Sequence, residues 1–381
     1  MNDIFQLTII LVASLFATVV SRKLKIPAVV GQMVVGVILA PSVLGWIHGG
    51  HTIETLSEIG VILLMFLAGL ESDLTVLKKN LKASLLIASS GVLVPLFAFW
   101  GVAHLLGYGF STAIFYGIVF AATSVSITVE VLQEYGKLGT RAGAIILGAA
   151  VVDDILAVVA LSVFTSTKSG SGNLPLQFLL EALFLLFLVL VHKMIPRIWK
   201  WVDRLPIYAK NTTAAILICL ILSLLAWASG MSAVIGAFFA GLAISQTEVS
   251  HRIEEYTSAI AYVIFIPVFF VSIALSVSFD SLIEHPWIIL AFTLLAIATK
   301  FLPAYISGRS VKLSNADSLL VGTGMVSRGE VALIVAQVGL ASAVISDTVY
   351  SELVIVTILT TLIAPFLIKW SLPSKAKTAQ K

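Results

Sequence analysis

Apolar runs close to twenty residues long recur from one end of the chain to the other, separated by short polar segments. A helical run of that length matches the ~30 Å hydrocarbon layer of a bilayer. Open strand edges and loops cannot face lipid, because hydrocarbon satisfies no backbone N–H or C=O. The pattern predicts thirteen transmembrane helices, over about 4–21, 26–45, 57–75, 83–106, 111–133, 140–165, 175–191, 211–229, 232–247, 259–278, 286–307, 315–342 and 352–370. The expected fold is an all-α polytopic membrane protein, one transporter domain over 1–381, multi-pass in the cell membrane.

Composition strengthens this reading. Of 381 residues 59% are hydrophobic and 11% charged, whereas a soluble domain carries about a quarter charged residues. A soluble enzyme and a disordered chain are excluded. A net charge of +3 is too small for a nucleic-acid partner. The lone Cys219 excludes an internal disulfide and a multi-cysteine metal site.

The placement of charge orients the chain. Asp3 precedes the first span, and Arg22, Lys23 and Lys25 follow it. A cleaved signal peptide carries its positive charge first, so the first span is an uncleaved helix. Alternate loops with their adjoining span ends hold 20 of the 23 lysines and arginines. The opposite loops hold only Lys168, and Lys300 and Arg328 fall inside spans. Basic loops stay cytoplasmic, so the N-terminus is expected outside and the C-terminus in the cytoplasm.

An internal repeat is also legible. PAVVGQMVVGVILA at 27–40 and SAVIGAFFAGLAIS at 232–245 share an Ala-Val-Val/Ile-Gly start and a second glycine five residues on. Ser124 in the fifth span pairs with Ser327 in the twelfth at nearly the same offset, and the third and tenth spans share a Phe-bearing stretch. Partners lie seven spans apart, an odd number, so the copies face opposite ways. Inverted repeats of this kind place a transporter's substrate at the membrane midplane.

Charges gather at that depth. Asp153 and Asp154 sit at the centre of the sixth span, Lys300 about one helical turn from the centre of the eleventh, and Arg328 and Glu330 at the centre of the twelfth. Each costs at least about 2.5–3.5 kcal/mol at a helix centre. A buried pair can simply lock helices together, but two adjacent aspartates repel each other and fit that role poorly. Arg328 and Glu330 fit a structural role as well as a functional one. Three carboxylates against two cations leave one net negative charge, which one monovalent cation or one proton neutralises. Carboxylate oxygens are hard ligands that bind small cations and protons alike. Competition between the two at one site is the expected chemistry.

Two spans read as interrupted. ATSVSITVEV at 122–131 is rich in hydroxyl and β-branched residues, and GTGMVSRGEVAL at 322–333 holds three glycines and two charges. Both suit broken helices whose half-helix ends point into a site, with Glu330 and Arg328 as charge compensation for those ends. Glu71 and Asp73 read as a solvated helix end. The segment 192–210 mixes basic and aromatic residues and reads as an amphipathic anchor on the inner membrane surface. No histidine spacing suggests a metal site.

PAVVGQMVVGVILAPSVLG, FLAGLESDL, VVDDI, SAVIGAFFAGL, FFVSIAL and SRGEVALI, in this order and spacing, resemble the monovalent cation:proton antiporter-2 family over nearly the whole chain. The likeness is greatest to NapA-type Na+/H+ antiporters. The resemblance implies thirteen helices, two crossing broken helices and a homodimer. It implies that Asp154 is the main ion-binding carboxylate, that Asp153 pairs with Lys300, and that Thr123 and Ser124 lie at the first break. Kef-type members carry Gln-Asp in place of Asp153–Asp154 and add a nucleotide-binding domain. The Asp-Asp pair and the short segment after the last span disfavour that type, so no nucleotide-binding domain is expected.

The resulting expectation is a secondary-active antiporter that exchanges Na+ (or Li+ or K+) at Asp153 and Asp154 for protons, by alternating access and without a cofactor. No G-x-x-x-x-G-K-[ST] loop is present to bind ATP. Spans within 83–165 and 286–370 are expected to carry the ion. Spans within 4–75 and 211–278 are expected to form a dimer scaffold, with 175–191 as a linker helix. The resemblance alone implies electrogenic exchange, and Lys300, an ammonium near the midplane whose pairing with a carboxylate keeps it charged, is expected to take part in proton coupling. Alternatives are a K+/H+ antiporter, a Na+-coupled solute symporter and an ion-responsive membrane sensor.

Overall fold

In the computed structural model the described residues are 3–24, 26–169, 174–275, 285–341 and 343–372. They contain helices and no strand. The helices are α1 (Asp3–Leu24), α2 (Ala28–Leu39), α3 (His51–Leu70), α4 (Leu74–Leu105), α5 (Phe110–Ala121), α6 (Val125–Glu134), α7 (Arg141–Ser169), α8 (Leu174–Val202) and α9 (Lys210–Ala228). They continue with α10 (Ala233–Ile244), α11 (Ser250–Ile260), a π-helical turn (Ala261–Phe265), α12 (Ile266–Leu275), α13 (Pro286–Ser310), α14 (Asn315–Gly324), α15 (Glu330–Ala341) and α16 (Asp347–Ser371). Ten stretches among the described residues are long and apolar enough to cross a membrane, and residues 28–39, 233–244 and 331–340 form shorter apolar helices.

Several boundaries differ from expectation for local reasons. The second span, expected to reach residue 45, stops at Leu39. Ala40 takes φ −57° and ψ 156°, because the ring of Pro41 disfavours helical backbone in the residue before it. The fourth begins at Leu74, where Asp73 Oδ1 accepts the N–H of Thr75 at 2.6 Å and caps the helix. The segment 192–210 is not a surface loop down to its end, for α8 continues through Pro196 to Val202. Ile195, Trp199 and Val202 are buried while Lys193, Arg197 and Lys200 are exposed, a helical period. The π-helical turn precedes Pro267, whose ring clashes with the carbonyl four residues back and widens the helix there.

The burial pattern is that of a protein whose solvent is lipid. α1 buries Gln6, Ile10, Ser14, Ala17 and Ser21, all but Ile10 small or polar, and exposes Ile4, Val12, Leu15, Phe16 and Val19. Small and polar residues line the helix contact and apolar ones face outward.

The chain divides into two compact units. The first comprises Met1–Glu54, Lys79–Ala157 and Phe270–Lys381. In it α1 packs along α2, and α16 packs against α6, α13, α14 and α15. The second comprises Thr55–Lys78 and Val158–Phe269. In it α9 and α10 form a tight helical pair. Here the backbones of α3 and α10 meet at two glycines. A Cβ on Gly69 would strike the carbonyl of Phe238, and one on Gly241 the carbonyl of Phe66.

Gly241→Val is therefore expected to force these helices apart and cost about 1–3 kcal/mol, read as a lower thermal unfolding midpoint in detergent. Gly101 of α4 has nothing within 4 Å of an added Cβ. Gly101→Ala is expected to leave the midpoint unchanged or raise it slightly. Equal midpoints for the two variants would show that the glycine contact carries no packing constraint.

Candidate ion site

The site in the first unit begins with two interrupted helices. α5 stops at Ala121 and α6 starts at Val125, while Ala122 and Ser124 take extended backbone. α14 stops at Gly324 and α15 starts at Glu330. Helix ends leave backbone groups without partners, and here each break supplies partners to the other. Ser124 N–H donates to the Ser327 carbonyl at 2.9 Å. Ser327 Oγ donates to the Ser124 carbonyl at 2.6 Å. Thr128 Oγ1 donates to the Gly324 carbonyl at 2.7 Å. The approach needs a glycine, since a Cβ on Gly329 would lie 2.5 Å from Ser124 Oγ.

Arg328 closes the C-terminal end of α14. It is completely buried. Its Nη1 donates to the Val326 carbonyl at 2.9 Å, and its Nη2 donates to the Ala296 carbonyl of α13 at 3.1 Å. A cation is favourable at a helix C-terminus, where carbonyl dipoles converge. Thr361 Oγ1 of α16 donates to the carbonyl of Arg328 itself. Glu330 opens α15, and its side chain lies outside the described residues.

Asp153 of α7 and Lys300 of α13 are both completely buried. Lys300 Nζ lies 3.0 Å from each carboxylate oxygen of Asp153. Asp154 is 3% exposed and, one residue on, projects about 100° further round the helix. The two carboxylates therefore do not share one face. α4 fits between α7 and α13 with small side chains. Ser84 Oγ donates to the Ile145 carbonyl at 3.1 Å, and Ser90 Oγ lies 2.9 Å from Ser307 Oγ. Gly91 faces the ion pair: a Cβ there would be 3.6 Å from Lys300 Nζ and 4.0 Å from Asp153 Oδ1.

The hydroxyl residues expected at the first break are there. Thr123 and Ser124 are buried, and Thr123 Oγ1 has no hydrogen-bond partner among the described residues. Asp153 and Lys300 are brought together, as are Ser124, Ser327 and Gly329. Sequence reasoning passed over Gly91, Thr128 and Thr361, whose roles depend on tertiary contact. It also passed over Glu352, a carboxylate buried near the start of α16.

Known proteins bear on this geometry. The profile of the family described as sodium/hydrogen exchanger, transmembrane, matches residues 10–373. The chain is 46% identical to a protein named Na(+)/H(+) antiporter from Enterococcus hirae, over 97% of this chain and 98% of the relative. It is 39% identical to the Na(+)/H(+)-K(+) antiporter GerN of Bacillus cereus, over 98% and 97%. The fold is similar to that of the solved sodium proton antiporter MjNhaP1 of Methanocaldococcus jannaschii, with a TM-score of 0.71, 18% identity, and 99% and 98% coverage.

The contacts of Arg328 lead to a stability prediction. Arg328→Met removes the donor to the buried Val326 carbonyl at the end of α14 and one of the donors to the Ala296 carbonyl of α13. It is expected to cost about 3 kcal/mol, read by thermal unfolding in detergent. Arg328→Lys keeps the charge but not the planar fork and is expected to fall between. A wild-type midpoint for Arg328→Met would show that the guanidinium contributes nothing to holding the break.

Proposed function

Because the chain belongs to the sodium/hydrogen exchanger family, we propose that this multi-pass membrane protein exchanges Na+ for protons at Asp153 and Asp154. The observation that carries the reading is the fully buried Lys300–Asp153 pair beside a second buried carboxylate. Such a pair holds only while both partners are charged, since removing one leaves an uncompensated buried charge. A cation entering among the carboxylates competes with the ammonium for Asp153. Lys300 then loses the interaction that keeps its proton, and the proton departs as the cation arrives. Asp154 takes cation and proton in turn, with Thr123 and Ser124 supplying neutral oxygens. Since Lys300 adds a second titrating group, exchange moves net charge.

The finer architecture belongs to the same proposal. We take the chain to be of the monovalent cation:proton antiporter-2 type, with thirteen spans in two inverted repeats, the N-terminus outside and the C-terminus cytoplasmic. Helices within 83–165 and 286–370 carry the ion, and those within 4–75 and 211–278 form the scaffold of a homodimer, with 175–191 as linker. Glu330 joins Arg328 in compensating the half-helix ends. The name of the GerN relative, a Na(+)/H(+)-K(+) antiporter, favours testing K+ as a second substrate.

The decisive experiment is purified protein in liposomes with an internal pH dye and a panel of Na+, Li+ and K+. Asp154→Asn is expected to fold and to abolish cation-driven proton flux. Near-normal flux in that variant removes the central claim. Lys300→Gln is expected to keep some exchange but lose the dependence on membrane potential and shift the pH profile. Unchanged voltage sensitivity and pH profile reduce Lys300 to a structural partner of Asp153. A tag at Lys381 is expected to be accessible only from the cytoplasm and one at Met1 only from outside. Both on one side would undo the inverted repeat.

A further inference from the structure

α2 meets its neighbours in two different ways. Toward α1 and α12 its backbone comes close, with no side chain between. A Cβ on Gly31 would strike Ser21 Oγ and the Ala17 carbonyl of α1, and one on Gly36 would strike the Val271 carbonyl of α12. Gln32 Nε2 donates to Thr18 Oγ1 of α1 at 3.2 Å. Close-packed contacts of this kind transmit a displacement rather than absorb it. They key α2 to α1 and α12, all three within the spans assigned above to the scaffold.

Toward the helices assigned to the ion-carrying set the contact has another character. Near its C-terminal end, Val37 packs on Val354 and Ile358 of α16. Apolar contact is non-directional, so these surfaces can slide. At the first residue of α2 the contact is directional. The backbone N–H of Ala28 donates to Oε2 of Glu134, the last residue of α6, at 3.0 Å. The first N–H groups of a helix have no partner inside it, and the preceding residue, Pro27, has no side-chain oxygen to supply one. A carboxylate from another helix takes the role of the cap. Its charge is favoured there by the helix dipole, and the bond is of the stronger, charge-assisted kind.

Glu134 sits at a mechanically significant place. α6 is the short half-helix that leaves the first break, ten residues and about 15 Å long. At one end Ser124 exchanges hydrogen bonds with Ser327. At the other end Glu134 holds α2. Any displacement of α6 relative to α2 breaks that bond, whereas the apolar contact at Val37 survives sliding. Arg22 and Lys23 precede Ala28, and Lys137 follows Glu134, so the charge placement sets both residues at cytoplasmic helix ends. Glu134 is half-buried. On release its carboxylate can be hydrated and is not stranded in an apolar interior.

We propose that Glu134 is a gate residue: its carboxylate docks the cytoplasmic end of α6 onto the start of α2 and holds the inner entrance shut, and opening inward requires it to leave the Ala28 N–H. The side of the gate and its effect on transport rest on the orientation and the antiport reading above, while the docking itself does not. With the bond made, α6 and the scaffold are closed against each other at the cytoplasmic face. With the bond lost, the balance shifts toward the state open to the cytoplasm.

The test removes each end of the bond in turn. Glu134→Ala removes the acceptor. Ala28→Pro removes the donor alone, because proline is accepted at the first position of a helix. Pro27 already has φ −55° and ψ 139°, the extended backbone that a following proline requires. Both are made in a Cys219→Ser background with spin labels at Leu24→Cys, exposed at the end of α1, and Gly139→Cys, where an added Cβ meets nothing within 4 Å. In proteoliposomes the unsubstituted gate is expected to give mainly the shorter of two label distances. Both variants are expected to raise the ratio of longer to shorter about five-fold. The apparent KM for Na+ offered at the cytoplasmic face is expected to fall in both, and that at the outer face is not. A residue that merely supports the fold would lower the unfolding midpoint and leave distances and face asymmetry unchanged. If both variants keep the original distances and cytoplasmic KM, the proposal is overturned. Should Glu134→Ala fail to fold, Ala28→Pro decides alone, because it leaves Glu134 in place. A fall in KM at the outer face instead would overturn the assigned orientation, and so the inner gate. Wild type without cation-driven flux would overturn the antiport reading, and the label distances would still decide the docking.

Discussion

Hydrocarbon offers no partner to a backbone N–H or C=O, and the first unit is organised around two places where helices nevertheless stop. Neither break is supportable alone. Ser124 and Ser327 exchange backbone and hydroxyl hydrogen bonds, and Thr128 takes the Gly324 carbonyl. The remaining carbonyls at the end of α14 draw in the guanidinium of Arg328. Arg328 then reaches across to the Ala296 carbonyl of α13, one helical turn before Lys300. The fixed charges of the site follow from the geometry of the breaks.

The two buried cations on neighbouring elements are compensated in different ways. Lys300 finds Asp153 at 3.0 Å from both oxygens, while Arg328 turns its two Nη groups to carbonyl dipoles. This division matters chemically. An arginine bound to carbonyls is fixed in place and in charge, whereas a lysine bound to one carboxylate depends on that carboxylate for its proton. The permanent charge holds the frame, and the conditional charge stands where we propose that a cation competes. Gly91 itself presents no side chain to the pair, where a Cβ would come into contact with Lys300.

Much of this was legible in sequence because lipid imposes strong rules. Asp153, Asp154, Lys300 and Arg328 stood out by depth alone, and the hydroxyl-rich and glycine-rich stretches marked the breaks. Boundaries were less legible where one residue decides them, as Pro41 does for α2. In α8, the basic residues of 192–202 outweighed the period of Ile195, Trp199 and Val202, and the helix was read as ending early. Glu352 was missed because a carboxylate near the start of a span resembles an ordinary helix-terminal acid. Only Tyr116 of α5 and Tyr108 in the turn before it, both donating to the carboxylate, distinguish it. Thr361 and Gly91 carry no signal in one dimension, since their significance lies entirely in what they touch.

Thr361 also shows how a broken helix can be held without being frozen. A hydroxyl carries one proton, and Thr361 Oγ1 has two carbonyls within reach, that of Arg328 and that of Thr357 in its own helix at 2.8 Å. Turning from one to the other leaves its proton satisfied either way. Thr360 on the same helix likewise donates back to Thr357 at 2.8 Å. Thr360 and Thr361 thus each have an acceptor within α16 itself. A displaced half-helix loses a bond to α16 without leaving an unsatisfied hydroxyl in the interior. On the side facing α16, only the Arg328 carbonyl must then find another donor.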